Sequence, residues 1–132
     1  MSTRNLSQSD FESAVTENDI VLVDFWAEWC GPCRSFAPVY ETISERHPEI
    51  VFGKVDTEAE PGLAGAFGIT SIPTLMAFRE GVLVFAQAGA LPGDALEQLI
   101  TAVEGLDMDD VRRQIAEHES EHDAEPAAAP TA

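Results

Sequence analysis

The sequence predicts an α/β domain with a mixed central sheet flanked by helices and an acidic C-terminal extension. Apolar runs of strand length alternate with segments whose apolar residues recur at helical spacing, which is typical of parallel strands joined by right-handed crossovers. Two adjacent strand-like runs, residues 74–79 and 82–88, meet at Glu80-Gly81 and predict a hairpin that makes the sheet mixed. The 132 residues suffice for one such domain and an appendage.

Each element has its own local signal. Ser9 and Glu12 have the spacing of a capping box, which opens the first helix. Pro32 occupies a first-turn position of the long second helix, and His47-Pro48 ends that helix. In chain order we predict a helix ending near residue 18, a strand over 20–25, a helix over 33–46, a strand over 50–56, a short helix after residue 60, the hairpin, and a helix from Leu91-Pro92 to residue 103.

The composition divides the chain into three parts. We predict a domain over residues 1–105, a prolongation of its last helix over 106–117, and a disordered acidic tail rich in alanine and proline over 118–132. The formal net charge of −17 makes nucleic acid and anionic membranes unfavourable partners. Because no apolar run approaches a membrane span and the N-terminus lacks an apolar export segment, we expect a cytoplasmic protein.

The only two cysteines, Cys30 and Cys33, lie where the first buried strand gives way to the long helix. Unpaired backbone N–H groups and the helix dipole favour a negative charge at a helix N-terminus, so they favour the thiolate of Cys30. A thiolate is the attacking species in disulfide exchange. Cys33 lies one helical turn further on, close enough to close a small disulfide. The pattern therefore predicts that Cys30 attacks and Cys33 resolves.

These segments resemble the thioredoxin family over residues 5–105. Residues 21–33, which end in Trp-Cys-Gly-Pro-Cys, match the family's active-site strand and loop. Residues 68–75 match the segment that carries the family's cis-proline, and Gly89-Ala90-Leu91 resembles the glycine turn before its last helix. The resemblance implies the thioredoxin fold and a protein-disulfide reductase that works through a redox-active Cys30–Cys33 disulfide. It does not extend to the tail.

Asp24 lies in the middle of the first buried strand, where desolvation is expected to raise the pKa of its carboxyl group. The family resemblance places such an aspartate behind the resolving cysteine, which implies that Asp24 is the general base for Cys33. The alternative is a structural ion pair with Lys54, the only lysine, on the adjacent strand. Both interpretations hold together if Lys54 modulates Asp24.

The loop that contains the cysteines is expected to contact substrates. Trp29 precedes Cys30 on this loop and is assigned to substrate contact, whereas Trp26 is assigned to the core beside the site. Gly31 and Pro32 are expected to modulate the cysteine pair. Since Pro32 restricts the loop and donates no hydrogen bond to a thiolate, the pair is expected to be a reductant.

A second loop and a turn are assigned to the same surface by the resemblance. It implies that Pro73 packs against the disulfide and that the backbone of Ile72 pairs with an extended substrate in the manner of an added strand. Gly89 and Ala90 would complete a flat, mostly apolar contact surface. Such a surface suits many protein partners.

The resemblance also implies the electron supply and the partners. No bound cofactor is expected, and electrons come from NADPH indirectly, through a thioredoxin reductase. They pass to disulfide-containing protein substrates, which the sequence does not specify. The protein is expected to be a monomer.

Other functions compete with this interpretation. A redox-independent holdase or interaction module would use the same apolar surface and would keep its activity without the thiols. An oxidase or isomerase of exported proteins is disfavoured by the Gly-Pro dipeptide. Residues 118–122 match the zinc-protease pattern H-E-x-x-H, but the acidic tail offers no evident third ligand, and a Cys2His2 set would join pairs far apart in sequence. No metal site is therefore predicted.

Overall fold

A computed structural model of the chain describes residues 2–123. The strands in this part of the chain are β1 (Thr3–Asn5), β2 (Ile20–Trp26), β3 (Val51–Asp56), β4 (Thr74–Arg79) and β5 (Val82–Ala88). The helices are α1 (Phe11–Thr16), α2 (Gly31–Arg46), α3 (Pro61–Ala66), α4 (Gly93–Glu104) and α5 (Met108–Asp123). Within the described residues, no helix combines the length and the apolar composition needed to cross a bilayer.

The five strands form one mixed sheet in the order β1-β3-β2-β4-β5. Strands β1 and β2 run parallel to β3, and β4 runs antiparallel to both β2 and β5. The predicted mixed α/β class, with its C-terminal hairpin, is therefore confirmed.

Strand β2 is buried on both faces because helices cover both sides of the sheet. Side chains alternate along a strand, so Ile20 and Leu22 face α2 and α4, whereas Val21 and Val23 face α1 and α3. Asp24 continues the series of Ile20 and Leu22, and it is fully buried. A carboxylate thus lies on the core face beneath α2.

The N-terminal segment differs from the sequence prediction in two ways. Thr3–Asn5 forms an additional edge strand, which was missed because three residues carry no alternating pattern. The capping box at Ser9 was wrong, since the N-cap of α1 is Asp10. The Asp10 carboxylate accepts the backbone N–H of Ser7 at 2.6 Å instead of capping the helix.

The C-terminal segment forms a separate helix, α5, rather than a prolongation of α4. Helix α4 ends at the C-cap Gly105, and the carboxylate of Asp107 accepts the backbone N–H of Asp110 at 3.1 Å, as an N-cap does. Helix α5 is attached to the domain by the buried Met108 and by an ion pair of 2.6 Å between Arg112 and Glu80. The boundary predicted at residue 118 falls inside α5, and the predicted tail beyond residue 123 lies outside the described residues.

Candidate active site

One end of the sheet brings three loops together. Phe25, near the end of β2, is paired with Thr74 at the start of β4, and Thr74 is paired with Ala88 at the end of β5. The loop after β2, the loop before β4 and the turn after β5 therefore meet at the same edge. These loops carry the cysteines, Ile72-Pro73 and Gly89-Ala90 respectively.

The two cysteines form a disulfide across the first turn of α2, with their Cα atoms 5.2 Å apart. Cys30 is the N-cap of the helix and has extended backbone angles, and the backbone N–H of Cys33 donates to Cys30 Sγ at 3.2 Å. Both side chains are buried, with 4% and 2% exposed. The sulfur of Cys30 thus occupies the position at which a helix N-terminus stabilises a negative charge.

The Ile72-Pro73 segment packs against this disulfide. The peptide bond between the two residues is cis, Pro73 is buried, and Ile72 contacts the cluster formed by the cysteines and Ala27. The carbonyl oxygen of Ile72 lies 3.7 Å from Cys30 Sγ. The structure therefore brings Ile72 into contact with the cysteine pair, and the buried Pro73 follows it in the chain.

The glycine turn after β5 is tied to the same segment. Gly89 donates its backbone N–H to the carbonyl oxygen of Pro73 at 2.8 Å. Its φ of 105° lies in the region that favours glycine, so a side chain here would strain the turn. Ala90 follows and is exposed.

Trp29 is the most exposed large apolar side chain of the described residues, at 67%. It lines a shallow depression together with Glu28, Arg34, Asp56 and Glu58. Gly31 and Pro32 are exposed beside it. An indole in this position is available for contact with a partner rather than committed to the core, and the acidic rim around it was not anticipated.

Asp24 has no hydrogen-bond partner for either carboxylate oxygen among residues 2–123. Its burial raises the pKa of the carboxyl group to about 7, against the opposing influence of the Lys54 ammonium group. Lys54 is directly across from Asp24 in the register of β2 and β3. Its Nζ atom lies over the ring of Trp26, 4.6 Å from the centroid, and the described residues contain no direct ion pair between Lys54 and Asp24. The ammonium group thus acts on the carboxylate through space.

Tyr40 is a neighbour of this carboxyl group that the sequence analysis did not single out. It is fully buried on α2 and donates its hydroxyl hydrogen to the carbonyl oxygen of Gly53 at 2.9 Å. Burial, and secondarily the charge of Asp24, raise the pKa of Tyr40 well above its ordinary value. Tyr40 belongs to the buried apolar repeat of α2, and a helical pattern by itself does not show which strand residue lies opposite each of its members.

Comparison with known proteins identifies relatives of this arrangement. The family model described as Thioredoxin matches residues 2–102. A Streptomyces coelicolor protein of the thioredoxin 2 type is 58% identical over 120 residues, which cover 91% of this chain and 90% of that protein. A solved thioredoxin of Plasmodium falciparum matches with a TM-score of 0.71 and 40% sequence identity. The matched region covers 76% of this chain and 98% of the Plasmodium chain. A mutant thioredoxin from Halobacterium salinarum matches with a TM-score of 0.72 and 36% sequence identity, and the matched region covers 79% of this chain and 91% of that protein.

Proposed function

The chain belongs to the thioredoxin family and is a thiol-disulfide oxidoreductase that reduces protein disulfides, and we propose that Cys30 and Cys33 divide this reaction between them. The observation that carries the proposal is the position of Cys30 as the N-cap of α2, with Cys33 N–H directed at its sulfur. This hydrogen bond and the helix dipole both favour a thiolate on Cys30.

In the proposed cycle, the Cys30 thiolate attacks one sulfur of a substrate disulfide. A mixed disulfide forms and the other substrate sulfur leaves as a thiolate, which takes up a proton. The Cys33 thiolate then attacks Cys30 Sγ, releases the second substrate thiol and closes the Cys30–Cys33 disulfide. Two electrons have passed to the substrate, and the protein is left in the disulfide form that the structure describes.

Asp24 is the proposed general base for Cys33. Cys33 is buried in the first turn of α2, and Asp24 lies on the face of β2 that α2 covers. A carboxyl group whose pKa lies near 7 exchanges a proton readily at neutral pH. Lys54 modulates this group, because its positive charge favours the ionised carboxylate.

The substrate surface is proposed to comprise Trp29 and the two loops packed around the disulfide. The exposed indole supplies apolar contact area, and Gly31 and Pro32 leave the approach to Cys30 open. The backbone of Ile72, held beside the cysteines by the buried Pro73, is the edge along which an extended substrate segment pairs. Gly89 and Ala90 extend the surface, because the turn is bonded to Pro73.

The regenerating electrons are proposed to come from NADPH through a thioredoxin reductase, with the cytoplasm as the site of action. A dithiol that reduces substrates needs a reductant, and thiols are kept reduced in that compartment. Nothing in this cycle requires a cofactor bound to the chain itself.

The proposed division of roles is tested by replacing one cysteine at a time. Cys30→Ser should abolish reductase turnover, whereas Cys33→Ser should still attack and accumulate a mixed disulfide with the substrate. Trapped adducts are counted by mass spectrometry, and turnover is followed with a protein disulfide and a thiol-reductase system. Trapping by the Cys30→Ser variant instead would reverse the assignment.

The same variants distinguish the competing functions. A holdase activity would survive in a protein that lacks both thiols, and an oxidase would show a far more oxidising equilibrium with glutathione. The reductase proposal requires that turnover disappear with the thiols and that the dithiol be a stronger reductant than glutathione.

A further inference from the structure

A group of potential metal ligands lies at the end of the molecule opposite the disulfide. His47 caps the C-terminus of α2, Glu49 lies in the loop before β3, and Glu104 is the last residue of α4. One ligand atom from each of the three side chains lies within 4.8 Å of the other two. The 16-residue helix α2, which carries Cys30 and His47 at its two ends, spans about 24 Å.

The imidazole of His47 is held as a metal-ligating imidazole is held. Its Nε2 atom lies 2.7 Å from a carboxylate oxygen of Glu97, and its ring stacks against Phe52 with the centroids 6.5 Å apart. A carboxylate on one ring nitrogen fixes the tautomer in which that nitrogen bears the hydrogen. In the neutral ring with hydrogen on Nε2, the lone pair is on Nδ1, and this atom lies 3.6 Å from a carboxylate oxygen of Glu49.

The carboxylate of Glu104 completes the arrangement. Among the described residues it has neither a hydrogen bond nor an ion pair, although its backbone carbonyl accepts from Arg79. Arg46 is engaged with Glu97 at 3.2 Å, on the far side of the imidazole. The carboxylates of Glu49 and Glu104 thus each place an oxygen near the His47 imidazole, and no lysine or arginine of the described residues is paired with either glutamate.

We propose that His47, Glu49 and Glu104 form a site for a divalent transition metal ion, with zinc as the ion that fits best, and that Glu97 is the residue that orients His47. Imidazole nitrogen and carboxylate oxygen are both zinc ligands, whereas calcium and magnesium prefer oxygen alone. Ligand atoms on a tetrahedral zinc lie about 3.3 Å apart, so the two exposed glutamates need only small rotations from the present spacing. Water completes the coordination.

The metal would join the C-terminal ends of α2 and α4, far from the reacting sulfurs. Its role is therefore structural: it binds the folded chain and raises the stability of the helix layer that covers Asp24. The zinc site does not depend on the disulfide chemistry. Refuting one of the two proposals therefore leaves the other standing.

The test is a zinc titration of the full-length oxidised protein, in which the disulfide keeps both thiols from binding the ion. Isothermal titration calorimetry should show one saturable site, and the midpoint of thermal unfolding should rise with the zinc concentration. Glu104→Gln and His47→Gln should each abolish saturable binding. Glu97→Gln should weaken it by about 10-fold, since loss of an orienting carboxylate typically has that effect.

Two controls separate the site from general attraction to an acidic chain. Glu45→Gln removes the same charge from an exposed position of α2 outside the cluster and should bind zinc as the parent does. The double variant His118→Gln and His122→Gln should also bind normally. Because Glu104 is exposed, its replacement is compatible with folding and keeps the test decisive if His47→Gln does not fold. Three results would overturn the proposal. They are zinc binding that fails to saturate, zinc binding that survives in Glu104→Gln, and zinc binding that is lost in the double variant of His118 and His122.

Discussion

Replacement of Asp24 by Asn should make the oxidised protein more stable at alkaline pH and should change its stability little at acidic pH. Burial raises the pKa of this carboxyl group from 3.8 to about 7. A tenfold change in a proton-binding constant corresponds to about 1.4 kcal/mol, so ionisation of Asp24 destabilises the folded chain by about 4 kcal/mol once the pH exceeds the folded-state pKa.

The direction of the effect follows from the protons bound in each state. Between pH 3.8 and about 7 the folded chain keeps the Asp24 proton while the unfolded chain has lost it, so the stability of the parent falls as the pH rises through this interval. Below it both states are protonated, and above it both are ionised. The buried amide of Asn also lacks a partner, but that contribution does not vary with pH.

The measurement is urea unfolding of the oxidised parent and of Asp24→Asn at intervals from pH 4 to pH 8. The difference in the free energy of unfolding should grow across this range by about 4 kcal/mol in favour of the variant. The exposed Glu45→Gln serves as the control and should show a difference that stays flat. A flat difference for Asp24→Asn, or a variant less stable than the parent at pH 8, would refute the reasoning.

Activity should move in the opposite direction, and two further perturbations test other parts of the proposal. Asp24→Asn should slow resolution of the mixed disulfide, measured by single-turnover mixing, and an unchanged pH–rate profile would favour the structural interpretation of Asp24. Trp29→Ala should raise the KM for a protein disulfide without slowing reduction of a small disulfide reagent, and an equal loss for both would remove Trp29 from the substrate surface. Deletion of residues 118–132 should leave the melting temperature and the turnover nearly unchanged. The described residues that attach α5 to the domain, Met108 and Arg112, precede the deleted segment. Loss of folding or of turnover would contradict this prediction.

The elements that could be predicted from the sequence are those with a repeating pattern. Strand β2 and helix α2 each bury a periodic set of side chains, and burial is what produces the pattern. Strand β1 could not be found, because it pairs with residues about fifty positions away and is only three residues long. Helix α5 had local signals in Gly105 and Asp107, which end one helix and begin the next, but its apolar spacing also suited a continuous helix.

The residues of the candidate site also fall into a group that could be predicted from the sequence and a group that could not. The cysteines, Trp29 and Pro73 stand in local motifs that can be recognised without a structure. The relations of Asp24 to its neighbours depend on the register between strands and on the packing of α2, and neither property is written in a local stretch of sequence. Tyr40 and the position of Lys54 over Trp26 were missed for this reason, as was the convergence of His47, Glu49 and Glu104 from three segments.

Asp24 is the residue of β2 that fits its buried environment least well. Its predecessors on the same face of β2, Ile20 and Leu22, are apolar core residues, and an apolar side chain at position 24 would extend that cluster without an unpartnered charge. The parent protein instead keeps a carboxyl group whose ionisation opposes folding throughout the neutral and alkaline range. Departures from packing rules of this size are expected at functional sites, where a group is retained for its chemistry. Asp24 lies on the face of β2 that α2 covers, and α2 begins with the cysteine pair, so the proposed proton transfer to and from Cys33 would give this buried carboxyl group a chemical use that core packing does not supply.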